Sequence, residues 1–357
     1  MDPKQKIEHL AKEIVEELKQ QKNPSMTVPI RSLSNVFFDT DSQTLKIHEN
    51  SASRYFYNVS HVRKFVQTLA VANASKKLIE RDINTSLRDL YYQVKRTLPN
   101  TDIDLVNDQI ESDKAIEDLE AITGLPRELL RLNADASGTV SGKVIIEDKG
   151  DTIDWSKLGS GGWAIPSNVE HVTFKKVDAK YVVYMEKQAV WQRLHEDKYW
   201  DKHNCIIIAS RGQAPRGVRR LLIRLSQEFK LPIYVLTDFD PWGFYIYSVL
   251  KYGSINLATQ SDTLAVTGAK FLGITAEDIE HYGLKKHFIK FKDVDVQRIG
   301  QLENYDWFKT NKNWQRQFKL MRSFKAKAEI QALSSRDIQF ISNSYLPEKI
   351  KKQDFIE

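Results

Sequence analysis

The 357-residue sequence contains a single cysteine, Cys205, and no long uninterrupted apolar stretch. One cysteine excludes a disulfide framework and any zinc site built from several cysteines. The apolar runs fall well short of the roughly 18 residues that a membrane-spanning helix needs, and no apolar signal core follows the N-terminus. Because Cys205 precedes a run of isoleucines, we interpret it as a buried strand thiol. These absences predict a soluble intracellular protein without membrane contact.

Two phosphate-binding motifs are also missing. The segment 138–144 is the nearest to a triphosphate-binding loop, but it is one residue too short and has Val144 where Mg²⁺ needs a hydroxyl. The glycines at 159–162 have the spacing of a dinucleotide-binding loop, yet no strand precedes them and Pro166 follows where a helix should begin. We therefore expect this chain to bind neither ATP nor a dinucleotide.

What is present is an ordinary globular composition with a small excess of positive charge. Hydrophobic residues make up 41% of the chain and charged residues 28%, and 53 Lys and Arg against 47 Asp and Glu give a net charge of +6. This balance excludes wholesale disorder and is compatible with a polyanionic partner. The length is sufficient for two or three domains.

The first 150 residues are predicted to contain an N-terminal helix, a short strand around 36–38 and, from about residue 60, mainly helical periodicity. Residues 4–22 carry apolar side chains at the spacing of an amphipathic helix. Four further helices are predicted, with starts at Ser60, at Thr85 or Ser86, at Ala115 and at Pro126. A hairpin over 139–146 would follow them. This order is typical of a winged-helix DNA-binding domain, but a small α+β domain without a DNA role fits the pattern equally well.

From residue 179 onward, short apolar strands alternate with helices. The predicted strands are 181–185, 205–209 and 233–236, and the predicted helices are 188–196, 217–229 and 244–251. Such alternation indicates a mainly parallel sheet covered on both faces. We therefore expect an N-terminal extension at 1–59, an α+β domain at 60–150, a connector at 151–178 and an α/β domain at 179–357.

Three acidic residues follow two strands of this predicted sheet. Glu186 ends the first strand, and Asp238 and Asp240 follow the third. The carboxyl ends of parallel strands meet at one edge, so we expect the three carboxylates to converge there without a local counter-charge. A divalent ion would relieve their repulsion, and oxygen ligands favour Mg²⁺. An Asp-x-Asp sequence alone is more often a turn or a helix cap.

A glycine-containing loop leads into an arginine-rich helix between these acids. Backbone amides, the helix dipole and guanidinium groups together bind phosphate, although a solvated basic helix face has the same composition. The candidate DNA contacts are Arg211, Arg216, Arg219 and Arg220.

Two adjacent tyrosines fall on different faces of the helix predicted to begin near residue 86. At about 100° per residue, Tyr91 belongs to the apolar stripe, whereas Tyr92 lies beside Arg88. A phenol beside a cation can act as a nucleophile because the cation favours the phenolate. Simple surface packing would produce the same pair.

Together these motifs resemble one family, the A subunits of the type IIB DNA topoisomerases, which includes archaeal topoisomerase VI and the eukaryotic meiotic double-strand-break enzyme. The matching stretches are 88–92 (RDLYY), Glu186, 212–220 (GQAPRGVRR), 238–243 (DFDPWG), 245–248 (YIYS) and 253–256 (GSIN). The last two stretches favour the archaeal type. Ser137 stands where the family usually has lysine, so we assign no DNA contact there.

The resemblance implies a catabolite-activator-like winged-helix domain that carries the nucleophile, followed by a Toprim domain that binds one or two Mg²⁺ ions. The family's nucleophile falls on Tyr92, its arginine on Arg88, and its Toprim acids on Glu186, Asp238 and Asp240. Tyr92 would attack a DNA phosphodiester and retain the 5′ phosphate. The tyrosine of one protomer would work with the metal site of its partner.

The resemblance also implies partners and a location. Two copies of the chain would join two GHKL-type ATPase B subunits in an A₂B₂ assembly, with ATP bound by the B subunit. This assembly would act on double-stranded DNA in the cytoplasm, at the nucleoid, relaxing supercoils and decatenating by double-strand passage. Three alternatives stay open: a meiotic-type double-strand-break transesterase, a Toprim nuclease that uses water, and a winged-helix regulator without catalytic activity.

Overall fold

The computed structural model describes residues 1–357, and these divide into two compact units. Unit 1 consists of residues 1–37, 46–135 and 255–260, and unit 2 consists of residues 38–45, 136–254 and 261–357. None of the helices combines the length and the apolar character that crossing a membrane requires.

The elements up to residue 133 begin with the predicted N-terminal helix, and from residue 59 onward they are mainly helical, as predicted. They are α1 (Pro3–Lys19), β1 (Ser25–Pro29), β2 (Val36–Asp39), β3 (Thr44–Ile47), β4 (Ser51–Tyr55), α2 (Val59–Glu80), β5 (Thr85–Ser86), α3 (Leu87–Val94), α4 (Gln109–Thr123) and β6 (Leu132–Asn133). Strand β1 pairs with β4 in antiparallel fashion, β2 pairs with β3, and β5 runs parallel to β6. Helix α2 packs against α1, α3 and α4 around one apolar core.

The helix starts follow side-chain caps more closely than apolar periodicity. Ser86 caps α3 as predicted, and its Oγ accepts a hydrogen bond from the Asp89 N–H. Helix α2 begins earlier than predicted because the cap is Asn58, whose side chain accepts from the Ser60 N–H at 2.9 Å. Helix α4 likewise begins at Gln109, well before Ala115, because Asp108 caps it.

The predicted helix at Pro126 does not form. Residues 127–131 make a turn, and β6 follows it and pairs with β5. The backbone of Arg131 is left-handed, with φ of 65°, which is incompatible with a continuing α-helix. The pairing of Leu132 with Thr85, far away in sequence, replaces the helical hydrogen bonds.

The α-helices and strands after residue 135 belong to unit 2 and begin with β7. They are β7 (Thr139–Ser141), β8 (Val144–Asp148), β9 (Asp151–Asp154), β10 (Trp163–Ala164), β11 (Thr173–Val177), β12 (Val182–Met185), α5 (Gln188–Glu196), α6 (Tyr199–Lys202), β13 (Ile206–Ala209), α7 (Arg216–Phe229), β14 (Ile233–Leu236), α8 (Pro241–Tyr252), α9 (Ser261–Leu264), β15 (Ala269–Gly273), α10 (Ala276–His281), β16 (Ile289–Lys290), α11 (Asp293–Glu303), α12 (Asp306–Lys309), α13 (Lys312–Phe324), β17 (Ala326–Lys327) and α14 (Leu346–Lys352).

The hairpin predicted over 139–146 is wrong, because its two strands belong to different sheets. Strand β7 pairs with β10 and β13, whereas β8 pairs with β9 and β11. Val140 and Ile146 are consequently buried in separate sheets. Residues 151–178, interpreted from the sequence as a connector, contain three strands. Strands β9 and β11 join β8 in a three-stranded sheet, and β10 joins the large sheet.

The large sheet of unit 2 has the strand order β10-β7-β13-β12-β14-β15. Strands β13, β12, β14 and β15 run parallel, which confirms the predicted mainly parallel α/β sheet. Every residue of β12 and β13 is buried, and Cys205, just before β13, is buried too. After β12 the chain forms β13, which lies on one side of β12, and then β14, which lies on the other side of β12. The topological switch point, where α/β proteins bind ligands, therefore lies between β12 and β14.

Candidate functional site

The acidic residues lie at the switch point of the parallel sheet. Met185, the last residue of β12, is paired with Leu236, the last residue of β14. Glu186 follows the first strand and its N–H donates to the Leu236 carbonyl at 3.2 Å, while Asp238 lies two residues beyond Leu236. The register of two neighbouring strands thus brings these carboxylates to one edge, as the sequence predicted.

The three carboxyl groups are poorly solvated and repel one another. Burial, followed by the charges of Asp238 and Asp240, raises the pKa of Glu186 to about 7. Burial raises the pKa of Asp240 to about 6, against the effect of a hydrogen bond from the Gly243 N–H, and burial also raises the pKa of Asp238. Ionisation of all three groups is therefore unfavourable without added positive charge.

A lysine supplies part of that charge, contrary to the expectation of no local counter-charge. The Nζ atom of Lys187 lies 2.7 Å from Oδ2 of Asp238. The other oxygen of Asp238, Oδ1, accepts a hydrogen bond from the Ile330 N–H at 2.8 Å. Lys187 directly follows Glu186, and continued strand alternation would direct it to the opposite face. Strand β12 has already ended at Met185, and Lys187 is the residue just before α5. Its side chain makes no capping hydrogen bond and turns to the acids instead.

The carboxylate oxygens of Glu186, Asp238 and Asp240 suit a hard divalent cation, but the three side chains are not arranged as a complete metal site. Oε2 of Glu186 is buried and has no hydrogen-bond partner, which marks it as an oxygen that awaits a ligand. Carboxylate oxygens are the ligands that Mg²⁺ prefers. No group of three or more His, Cys, Asp or Glu side chains is arranged to hold a metal ion as it stands. Both oxygens of Asp238 already have partners, the Ile330 N–H and Lys187.

The two adjacent tyrosines of α3 lie in opposite environments. Tyr91 is 7% exposed, and its hydroxyl donates to the Asn107 carbonyl at 3.2 Å. Tyr92 is 59% exposed. The helical-face prediction is therefore confirmed: Tyr91 anchors the helix in the core and Tyr92 projects outward.

Arg88 contacts the exposed tyrosine and is itself held from the other side. One of its terminal nitrogens donates to the Tyr92 hydroxyl at 3.4 Å, and the other donates to Oε1 of Gln109 at 2.9 Å. The guanidinium carbon lies 5.5 Å from the centroid of the Tyr92 ring. Sequence reasoning missed Gln109, because it lies on a different helix and no local spacing connects it to Arg88.

The candidate DNA-binding arginines do not form one exposed row. Arg219 is buried, its Nε donates to the Ala214 carbonyl at 2.9 Å, and burial lowers its pKa to about 10. Arg220 donates to Oε1 of Glu170 at 2.7 Å. Arg211 is exposed and Arg216 is half-buried at the start of α7. Arg219 is therefore better explained as an interior residue, because a stripe at helical spacing turns one of its members toward the core.

The loop before α7 approaches the acid edge through its backbone. The Gly212 N–H donates to the carbonyl of Glu186 at 3.1 Å, and Gly212 has a left-handed φ of 109°. A Cβ atom at Gly217 would lie 2.1 Å from the Pro166 carbonyl oxygen, so only glycine fits where α7 passes this backbone. These contacts hold Arg211 and Arg216 near the switch point.

Comparisons with known proteins assign the chain. The family model for the Toprim domain of topoisomerase 6 A subunits and Spo11 matches residues 181–350, that for type IIB DNA topoisomerase matches 63–132, and that for the all-beta domain of the DNA topoisomerase VI alpha subunit matches 136–178. The A subunit of type 2 DNA topoisomerase 6 from Pyrococcus abyssi is 45% identical over 97% of this chain and 93% of its own length. The chain belongs to the topoisomerase VI A-subunit family.

More distant members of the family match over most of their length as well. The A subunit of type 2 DNA topoisomerase 6 from Methanocaldococcus jannaschii is 36% identical over 98% of this chain and 95% of its own length. The A subunit of DNA topoisomerase 6 from Arabidopsis thaliana is 35% identical over 93% and 76%. As a member of this family, the chain is part of a type IIB DNA topoisomerase, and we set aside the regulator and the water-using nuclease.

Asp240 has a structural role that can be separated from its charge. Its Oδ1 caps α8 by accepting from the Gly243 N–H at 2.5 Å. We expect the free energy of unfolding of Asp240→Ala to be about 1 kcal/mol lower than that of Asp240→Asn, because both variants remove the unfavourable charge and only the alanine variant loses the cap. Urea unfolding in EDTA measures both variants, and equal free energies of unfolding would contradict the capping role.

Proposed function

We propose that this chain is the DNA-cleaving and rejoining component of the topoisomerase and that Tyr92 is its nucleophile. The observation that carries the proposal is the contrast within one pair: Tyr92 projects from the helix with Arg88 at its hydroxyl, whereas Tyr91 is buried. The match of residues 63–132 to the type IIB topoisomerase model supports it, because α3 lies inside that range.

The proposed step is a transesterification. The Tyr92 oxygen attacks the phosphorus atom of a DNA phosphodiester and forms a bond to the 5′ phosphate, and the bond from phosphorus to the 3′ oxygen breaks. The phenol proton leaves to solvent or a base, and the 3′ oxygen departs as a hydroxyl. One phosphate ester replaces another, so attack by the 3′ hydroxyl can reverse the reaction. Arg88 provides positive charge where negative charge develops on the phosphate.

The acid edge is the proposed Mg²⁺ site of this reaction. Glu186, Asp238 and Asp240 would hold one or two ions, which when bound supply positive charge to the phosphate and to the departing oxygen. The unpartnered oxygen of Glu186 supports this role. The Gly243 N–H orients Asp240, and the Ile330 N–H orients Asp238. These two backbone donors hold the two carboxylates in fixed orientations whether or not a metal ion is bound.

DNA binding is assigned to two regions. Arg211, Arg216 and Arg220, near the start of α7, would contact phosphates beside the acid edge. We propose that unit 1 is the winged-helix-type domain, on the support of its compact packing of α2, α3 and α4. The segment 139–146 is not its wing, since that segment belongs to unit 2.

Two features indicate which partners the chain needs: its DNA substrate has two strands, and the chain has no triphosphate-binding loop. Each copy has one Tyr92, so cutting both strands of a duplex requires two copies. The chain has no triphosphate-binding loop, whereas directional strand passage needs a fuel. We therefore propose an A₂B₂ assembly in which a GHKL-type B subunit binds ATP.

The tyrosine assignment predicts opposite results for two neighbouring substitutions. Tyr92→Phe should bind DNA normally but form no covalent adduct, because only the attacking oxygen is removed. Tyr91→Phe should retain adduct formation and lose about 1 kcal/mol of stability with its hydrogen bond to Asn107. Arg88→Ala should cleave about 100-fold more slowly or worse. Digestion of trapped complexes and sequencing of the DNA-linked peptide gives the readout, and phosphate on Tyr91 would overturn the assignment.

The metal assignment predicts which acids are indispensable. Glu186→Ala and Asp238→Ala should abolish DNA cleavage, and Asp240→Ala should be severely impaired, because the remaining oxygens cannot hold Mg²⁺ against the scissile phosphate. Cleavage of supercoiled plasmid by each variant, with and without excess EDTA, measures this. Full cleavage by Asp238→Ala in EDTA would be incompatible with a metal-dependent site.

The assembly predicts inactivity of the chain alone. The purified chain should neither hydrolyse ATP nor relax supercoiled DNA, and relaxation should appear when ATP is supplied together with the B protein. Plasmid relaxation assays with and without the second protein test this. Relaxation by the purified chain without a partner would rule out the division of labour.

A further inference from the structure

Lys187 is a cation that touches one of the proposed metal-binding acids. Its Nζ lies 2.7 Å from Oδ2 of Asp238, 3.3 Å from Oε2 of Glu329 and 3.0 Å from Oε1 of Gln331. The side chain of Asp238 is 9% exposed, that of Lys187 is 22% exposed and that of Glu329 is 53% exposed. Lys187 therefore bridges a buried acid and an acid at the surface.

We propose that Lys187 is a displaceable counter-ion, which neutralises Asp238 until a divalent cation binds and then remains paired with Glu329 and Gln331 alone. This inference rests on the proposed Mg²⁺ site and adds a competing cation to it. Lys187 is a positioning residue in this scheme, since it acts through Asp238.

The contacts of Asp238 imply that Lys187 and a divalent ion compete for its carboxylate. Oδ1 is held by the Ile330 N–H, so Oδ2 is the oxygen left to face a metal ion, and the ammonium group of Lys187 occupies it. An ammonium group and a divalent ion that share one oxygen repel each other, so Lys187 weakens metal binding and a bound metal weakens the ion pair of Lys187 with Asp238.

Displacement is inexpensive because a second acid is already in place. Glu329 lies within ion-pair distance of Lys187 and is exposed enough for its side chain to follow the ammonium group. Lys187 would therefore exchange one carboxylate partner for another rather than be left unpaired, which is the costly outcome for a partly buried charge. Lys327 in the same region differs, because it contacts both oxygens of one buried acid, Asp295, at 3.0 Å and is committed to that acid.

Mn²⁺ binding to the full chain, measured by electron paramagnetic resonance at fixed ionic strength, tests this role without any cleavage step. Lys187→Met should bind Mn²⁺ about fivefold more tightly, the change expected for releasing one partly buried ion pair. Glu329→Gln should bind about threefold more weakly, because displaced Lys187 then lacks its second partner. Lys187→Arg keeps the charge and should stay close to the parent. Lys175→Met, which removes equal charge from a surface pair with Glu147, is the matched control and should not change affinity.

The double variant Lys187→Met/Glu329→Gln decides between two roles of Glu329. If Glu329 acts through Lys187, the double variant should bind as tightly as Lys187→Met alone. If the Glu329→Gln effect persists in the Lys187→Met background, Glu329 acts on the ion directly and the proposal fails. Unchanged or weaker binding by folded Lys187→Met also overturns it.

Two other outcomes have their own readouts: a Lys187 variant that does not fold, and an error in the metal-site assignment. If Lys187→Met does not fold, Lys187→Gln takes its place in the single and the double variant, with the same expected and contradicting results. Glu186→Ala and Asp238→Ala test the metal site itself. If they bind Mn²⁺ as well as the parent, the assigned site is wrong, which is distinct from an error about Lys187.

Discussion

Close approach of carboxylates at the end of two parallel strands is the constraint around which unit 2 is organised. The pairing of Met185 with Leu236 leaves no freedom for Glu186 and Asp238 to separate. Burial makes their negative charges expensive, and Asp238 is compensated by the Ile330 N–H, beyond α13, and by Lys187, just before α5. The loop before α7 reaches the same edge through the hydrogen bond from the Gly212 N–H to the Glu186 carbonyl. The sheet edge thus fixes the positions of segments that are far apart in sequence.

The sequence 238–243 is a turn whose every distinctive residue has a steric or electrostatic reason. Asp240 caps α8, and Pro241 takes the first helical position, where its missing N–H costs nothing. A Cβ atom at Gly243 would lie 2.3 Å from the Asp238 carbonyl oxygen, so any other residue would push the turn open. The motif would form the same turn after any strand. Its position after β14, beside Glu186, is what makes it a candidate metal site rather than a helix cap alone.

Local patterns predicted the elements whose partners are close in sequence or whose burial is complete. The apolar runs of β12, β13 and β14 were sufficient for the parallel sheet, and helical spacing was sufficient for the faces of Tyr91 and Tyr92. Patterns failed where a partner far away in sequence decides the outcome. Residues 139–146 alternate like a hairpin, yet each strand pairs with strands elsewhere in the chain, and no local signal distinguishes these arrangements.

Within the site, the arginine-rich sequence of α7 predicts an exposed basic face. Because a helix has 3.6 residues per turn, one of these arginines, Arg219, faces the interior instead. Lys187 was overlooked because strand alternation would direct it away from Glu186, and only the end of β12 at Met185 reverses that direction.

The tyrosine pair illustrates how one rigid helix can both anchor itself in the core and present the proposed nucleophile. Successive residues on a helix differ by about 100°, so an aromatic residue in the core forces its neighbour toward solvent. Tyr91 fixes the rotation of α3, and with it the direction of Tyr92. Gln109, from α4, fixes Arg88 in turn. The position of the Tyr92 phenol is therefore set by contacts that Tyr91 and Arg88 make. The hydrogen bond from Arg88 to the Tyr92 hydroxyl is long, at 3.4 Å, so the hydroxyl can exchange it for a phosphate, as the proposed reaction requires.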